Sequence, residues 1–511
     1  MSAPPLLAFA GALPVLRAVS IAAAGLLVLA IAKIGRAVAG RVSTDRYVRG
    51  ARVEVPAARR QRLTRSRRAL QALPPCGPLR LGGIRIRAAD ETKHFKFVGT
   101  TGTGKSTAIT ALLRSALARG DRSVIADPNG ASLMRFFDRY RGDVLLNPFD
   151  RGSVQWDLFG EIRSVFDAEN LARSLVPDCE DAVGREWRSY ARTLVSVLVR
   201  RSAESGARDL MEFWRLLATA DTGEVRRSVA GTAAQPFLDP DNARMFSSVR
   251  SVAVSALAAL PHIAAGRGRP FSIREWMVRG RGVLYMPYRA EQIAALRTLI
   301  STWMRLAIFE TLSGAEAAEP RGWEGSAGSA DRHELWSRSR CAPHVPRRIW
   351  FFIDELDALG PIDGLTDALA RLRKFGGCCV LGLQSLAQVV GTYGTAGARS
   401  IVENCGNTLI LRCSASEGGG TAAFASQLIG EREVLRRNTV HSHDRGALFD
   451  RQRGRRSMQV ARQRVTEAAV LPSQIEQLPD LIGYFKTASG PCWNLIRLRP
   501  EVPPWPSTTS G

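Results

Sequence analysis

Gly99, Gly104, Lys105 and Ser106 are spaced to hold a nucleotide phosphate. They fill the fixed positions of the pattern G-x-x-x-x-G-K-[ST], with Thr100, Thr101, Gly102 and Thr103 between them and Thr107 following. Glycines let the backbone turn tightly and aim its N–H groups inward at phosphate. Lys105 is expected to neutralise the β- and γ-phosphates of ATP, and Ser106 to ligate Mg²⁺. A second chemical stretch is the apolar run Ile349-Trp350-Phe351-Phe352-Ile353, which ends in Asp354-Glu355. There Asp354 is expected to hold Mg²⁺ through its water shell, and Glu355 to orient and deprotonate the attacking water. Asp357 reads as structural. Gln384 closes the apolar run Val380-Leu381-Gly382-Leu383, where an amide could contact the γ-phosphate and report hydrolysis; an ordinary strand-end polar residue is the other reading. Arg373 has two readings as well. It could reach a neighbouring subunit's γ-phosphate, or be a solvated helix-end arginine favoured by the dipole.

These residues need a sheet whose carboxyl edge gathers them. The sequence supplies an α/β rhythm: strands at 94–98, 122–127 and 143–147, with helices at 108–119 and 132–140 between them. From about Leu158 to Trp276 the periodicity is helical with almost no strand signal, which predicts an all-helical insertion. Strand character returns at 282–286, followed by a long helix at 290–311. Residues 313–346 read as a solvated excursion rich in Gly, Ala, Ser, Glu and Arg. Then come strands at 348–353, 378–384 and 408–413, a helix at 365–374, and two last strands at 481–486 and 493–498. Residues 79–87 suggest a small strand pair turning at Gly82-Gly83.

The 511 residues suffice for two or three domains, and the net charge of +24 favours anionic partners, nucleic acid or acidic lipid. Almost all of the positive charge is arginine, so a GC-rich coding bias accounts for the same excess without a partner. The eight cysteines form no C-x-x-C pair and the six histidines are too few to complete zinc sites, which fits a reducing cytoplasm. Ala18–Ala32 is apolar apart from one serine and can cross a bilayer if extended to Ile34 or back through Arg17. Arg36, Arg41, Arg46, Arg49 and Arg52 follow, placing the bulk of the chain in the cytoplasm by the positive-inside rule. Residues 431–466 carry a dense arginine set, read as a candidate DNA-contacting loop or a solvated one.

The motif order resembles that of type IV secretion coupling proteins, the inner-membrane DNA-translocase ATPases of bacterial conjugation. The resemblance runs from about residue 79 to 499. It is carried by Thr92–Thr107, Asn147-Pro148-Phe149-Asp150, Gln155–Phe159, Phe271-Ser272-Ile273-Arg274-Glu275-Trp276, Ile353-Asp354-Glu355-Leu356, Arg373-Lys374-Phe375-Gly376, Gly382-Leu383-Gln384-Ser385 and Leu471–Asp480. It implies a RecA-like P-loop NTPase domain with an inserted all-α domain and an N-terminal membrane anchor. On that reading residues 1–40 are the anchor, 41–78 a basic linker, 79–157 and 281–499 the two parts of the nucleotide-binding domain, 158–280 the insertion and 500–511 a tail. The family usually has two transmembrane helices around a small periplasmic loop, and this N-terminus is expected to lack room for both. The resemblance further implies that Lys105 and Ser106 bind ATP-Mg, Asp354 and Glu355 catalyse, Arg373 acts in trans and Gln384 couples hydrolysis to movement. The implied assembly is a homo-hexamer at the bacterial inner membrane that passes single-stranded DNA, with its relaxase, to the secretion channel proteins. Rival readings are a coupling protein that recruits protein effectors, a nucleotide-binding scaffold without motor activity and, more weakly, a chromosome-segregation pump.

Overall fold

The computed structural model describes residues 45–54, 78–316, 348–443 and 456–500, apart from 180, 207 and 267. The sequence-predicted membrane segment lies outside the described residues, as does the excursion expected at 313–346 beyond its first four residues, which instead end the helix Ile293–Glu316. Among the described residues no helix is long and apolar enough to cross a membrane.

The chain divides into two units, the larger formed by residues 52–430 and 469–511. Its frame is a ten-stranded sheet in the order Val53–Glu54, Trp493–Arg497, Ile482–Lys486, Asn407–Ile410, Phe95–Val98, Gly377–Leu383, Ile349–Ile353, Arg122–Pro128, Val283–Tyr288, Val144–Leu145. The seven strands from Asn407–Ile410 to Val144–Leu145 are mutually parallel, and Ile482–Lys486 runs antiparallel beside them. Parallel strands are covered on both faces, which is why Ile349–Ile353 and Gly377–Leu383 read as unbroken apolar runs and are buried throughout. Phe95 packs against Trp350 at a ring-centroid distance of 5.9 Å, Trp350 stacks on Phe352 at 5.7 Å, and the helix Lys105–Ala118 packs Leu112 and Leu113 into the same core. The one polar atom of Trp350, its indole N–H, donates to Asp121 at 3.0 Å.

The expected elements form with small shifts at their ends. The helix expected at 132–140 is shorter, Ala131–Phe136, because Phe137 turns extended and Asp138 caps a separate turn, Arg139–Arg141. Between Glu161 and Phe271 the chain is helical among the described residues, and Ser164, Asp181, Asp209 and Asp221 each accept a backbone N–H at a helix start. The two ends of this stretch meet in a short parallel pairing of Gln155–Trp156 with Pro270–Phe271, a strand too brief for any periodicity to reveal. Glu161 pins that neck: its carboxylate accepts from Ile273 N (2.6 Å), Arg274 N (3.1 Å) and the Trp156 indole (3.1 Å). The Phe271–Trp276 motif is thus a structural clasp.

His94 fastens the phosphate-loop strand to its neighbours. It is buried with φ +51°; Nδ1 accepts from Cys379 N (3.1 Å), so Nε2 carries the proton and donates to Leu369 O (2.8 Å). Burial pushes its pKa down to about 4. The unfolded chain therefore takes up this proton first, and the stability that neutral His94 contributes is present above about pH 6.5 and lost as pH falls toward 4, up to about 3 kcal/mol. Denaturant unfolding across that window is expected to show this slope in the wild type and not in His94→Gln. Equal slopes would refute the assignment.

The smaller unit contains Arg46–Gly50, Glu431–His443 and Arg456–Ala468 as a three-stranded antiparallel sheet. The described parts of the stretch expected to be an arginine-rich loop are thus two 13-residue strands, and its middle, 444–455, lies outside the described residues. Polar and charged residues on both faces hid the alternation, although Val434 and Val465 face each other on one side. Likewise, the described part of the stretch read as a basic linker holds strands at Arg46–Gly50 and Val53–Glu54.

Candidate nucleotide site

The phosphate loop leaves the strand Phe95–Val98 and closes at Gly104, the N-cap of the helix Lys105–Ala118. Gly104 has φ +116°, and a Cβ there would stand 2.9 Å from the Leu481 side chain, so glycine is required twice over. The outer edge of the loop is tied down. Gly99 N donates to Leu383 O (3.1 Å), Thr100 N to Arg412 O (2.9 Å), Leu481 N to Thr103 O (2.9 Å) and the Thr103 hydroxyl to Thr100 O (2.7 Å). Thr101 and Gly102 are left exposed at the tip. Lys105 folds back over the loop, its ammonium donating to Gly99 O (2.6 Å) and Thr100 O (3.1 Å). Burial lowers its pKa, while the charges of Asp354 and Glu355 oppose that shift.

Asp354 and Glu355 follow the strand Ile349–Ile353, two strands from the loop. The Ser106 hydroxyl donates to Asp354 Oδ2 at 2.5 Å, and this bond joins the two motifs across 248 positions of sequence. The other oxygen, Oδ1, is buried without a hydrogen-bond partner among the described residues. Burial raises the Asp354 pKa against the pull of Ser106 and Lys105. A hydroxyl touching a buried carboxylate that keeps one oxygen open is a donor set suited to hydrated Mg²⁺. The backbone of Asp354 runs so close to Gly382 that a Cβ there would lie 1.9 Å from Asp354 O. Glu355 Oε1 accepts from the Gln384 amide at 3.0 Å, so the strand-end amide and the second acid are directly linked. Burial, then the charges of Asp354 and Asp357, raise the Glu355 pKa.

Four residues near this site carry no functional assignment in the sequence reading. Arg412 and Leu481 hold the loop through backbone groups, and side-chain type does not signal such a role. Asp357, read as structural, has a buried Oδ1 without a hydrogen-bond partner among the described residues. Tyr288 closes the strand Val283–Tyr288 at the same sheet edge, its hydroxyl unpartnered among the described residues, and its pKa is raised by burial and by Glu355 and Asp354. The rule that strand carboxyl ends carry chemistry would have flagged it.

Arg373 is not brought to this site. It follows the helix Leu365–Leu372, four positions before the strand Gly377–Leu383 begins, and it is exposed. Gln384 stands at the opposite end of that strand, so about 20 Å of extended chain separates the two.

A family model described as the type IV secretion-system coupling protein DNA-binding domain matches residues 78–498. Coupling protein TraD of Escherichia coli (strain K12) is 28% identical over 442 residues, covering 83% of this chain and 56% of TraD. The chain therefore spans little more than half the length of that relative. Among solved structures, the unbound form of the conjugative coupling protein TrwBdeltaN70 superposes with a TM-score of 0.68 at 29% identity, covering 89% of this chain and 93% of that one. Plasmid coupling protein TrwB in complex with ADP and Mg²⁺ gives a TM-score of 0.69 at 28% identity, covering 89% and 95%.

Proposed function

Because this chain belongs to the type IV secretion-system coupling proteins, we propose that it is an ATP-driven DNA translocase, anchored in the bacterial inner membrane, that hands a relaxase–single-stranded DNA complex to the secretion channel. The observation that carries the catalytic half is the Ser106–Asp354 bond, which sets a phosphate loop and a paired-acid strand end in one site. The complex of TrwB with ADP and Mg²⁺ supports ATP and Mg²⁺ as the ligands here.

In this reading the loop N–H groups and Lys105 take the phosphates. Lys105 exchanges its two carbonyl contacts for phosphate oxygens, a stronger charge-assisted pairing. Ser106 and Asp354 hold Mg²⁺, which when bound neutralises charge on the phosphate oxygens. Glu355 orients a water in line with the γ-phosphate and accepts its proton. Gln384, bonded to Glu355, feels the change when the γ-phosphate leaves and passes it along the strand Gly377–Leu383. Arg373, on the far edge of the sheet, serves a neighbour's site in a homo-hexamer. Residues 1–40 form the anchor, 79–157 and 281–499 the motor, and 158–280 the helical insertion.

The deciding assay is ATP hydrolysis by the full chain with and without single-stranded DNA. DNA is expected to stimulate hydrolysis at least about ten-fold, with stimulation falling steeply as salt rises because phosphate contacts release counterions. Hydrolysis indifferent to DNA would favour a coupling protein that recruits protein effectors. No hydrolysis at assembling concentrations would favour a scaffold.

A further inference from the structure

We propose that one face of the small three-stranded sheet binds the phosphate headgroups of acidic phospholipid. The register of the sheet sorts its side chains into two faces. On one, Tyr47 stands opposite Val434, Val434 opposite Val465, and the arginines are matched: Arg432 and Arg436 both pair with Glu467, and Arg436 also with Asp45. The other face is different. It carries Arg46 opposite Leu435, Leu435 opposite Arg464, and Arg437 directly opposite Arg462. Arg49 joins them, with the side chains of Arg49 and Arg464 81% and 73% exposed. The acids on this face are Glu433, engaged by Arg49 and Arg464, and Glu431 at its end. Arg46, Arg437 and Arg462 are exposed and make no ion pair with another described residue.

Like charges directly opposite in a ladder are destabilising, so the Arg437–Arg462 pairing costs the free sheet stability. An anion lying across the pair reverses the sign, and a guanidinium fork matches phosphate geometry. Both phospholipid and nucleic acid carry that phosphate. Two observations favour lipid. The described residues of this face include no Phe, Tyr or Trp and only His441 and His443 toward its far end, whereas single-strand binding relies on base stacking. And the first strand begins fourteen positions after Ala32, the end of the apolar run, with Arg36 and Arg41 between. Covalent reach alone keeps Arg46 within about 48 Å of that run. Basic clusters just cytoplasmic of a span are drawn to acidic leaflets, each arginine contributing about five-fold in binding.

The proposal rests on the membrane-anchored reading, and the test separates the two. The full chain is placed with vesicles of phosphatidylcholine, or of phosphatidylcholine mixed with phosphatidylglycerol, and amide hydrogen exchange of 431–437 and 460–468 is followed. Exchange is expected to be several-fold slower with phosphatidylglycerol, and high salt should abolish the difference. Arg437→Glu should remove the difference while raising the thermal stability of the sheet, because it turns a repulsive cross-strand pair into an attractive one; a purely structural arginine would lose stability instead. Equal exchange on the two vesicle types overturns the proposal, as does protection by a single-stranded oligonucleotide on phosphatidylcholine vesicles with none from phosphatidylglycerol. Retention on vesicles after alkaline carbonate reports the anchor separately. If retention fails, flotation with phosphatidylglycerol vesicles at neutral pH still reads the face.

Discussion

Replacing Glu355 with glutamine is expected to cut steady-state ATP hydrolysis about 10³-fold while leaving ATP bound. The substitution keeps size and the contact with Gln384, since an amide oxygen accepts the Nε2–H that Glu355 Oε1 now accepts at 3.0 Å. What it removes is the basic lone pair that, in the proposed mechanism, takes the proton from water. Lys105→Ala is expected to lose nucleotide binding, because the loop then has backbone dipoles but no mobile cation. Fluorescent-nucleotide titration beside phosphate release distinguishes the two variants. A Glu355→Gln chain that still turns over at more than a tenth of the wild-type rate would remove Glu355 from the role of base.

The electrostatics of the site give the same prediction a second readout. To serve as the proposed base Glu355 must be ionised, and burial plus the charges of Asp354 and Asp357 raise its pKa. The acidic limb of the kcat profile therefore lies above the ordinary carboxylate range. The Gln384 amide stabilises the ionised form, so Gln384→Ala should move that limb to higher pH. Asp357→Asn removes a like charge and should move it to lower pH. If neither moves, the limb belongs to another group.

Much of this site could be read from the chain because phosphate binding forces glycine, lysine and hydroxyl into a fixed spacing and because buried parallel strands announce themselves as apolar runs. Asp354, Glu355 and Gln384 were legible for one reason: each ends such a run. Tyr288 ends one too, but tyrosine after Pro287 looks like core. The supports of the loop were hidden, since Arg412 and Leu481 act through their backbones. Gly382 is glycine because Asp354 passes within a Cβ's reach of it, a contact that only the fold creates. The arginine-rich hairpin was misread as a loop because a half-exposed sheet with arginine on both faces suppresses the period-two contrast on which strand recognition depends.

Arg373→Ala is expected to lower hydrolysis about 10³-fold without weakening nucleotide binding, and the missing activity should return when the variant is mixed with Glu355→Gln. The argument is geometric. Lys105, Ser106, Asp354, Glu355 and Gln384 lie at the carboxyl edge of the sheet, while Arg373 precedes the amino end of the strand Gly377–Leu383, so its own site is out of reach. In a ring whose sites lie between subunits, the amino edge of one protomer can face the carboxyl edge of the next. An Arg373→Ala protomer then still offers an intact Glu355, and a Glu355→Gln protomer still offers an intact Arg373. Randomly co-assembled equal amounts put the two in the productive order at about a quarter of the interfaces, so about a quarter of wild-type hydrolysis should reappear if interfaces act independently. Strict coupling around the ring would lower that yield but leave it above the sum of the parents. Were Arg373 only a solvated helix end, its variant would hydrolyse ATP normally by itself. If it acted within its own protomer, mixing would recover nothing beyond that sum.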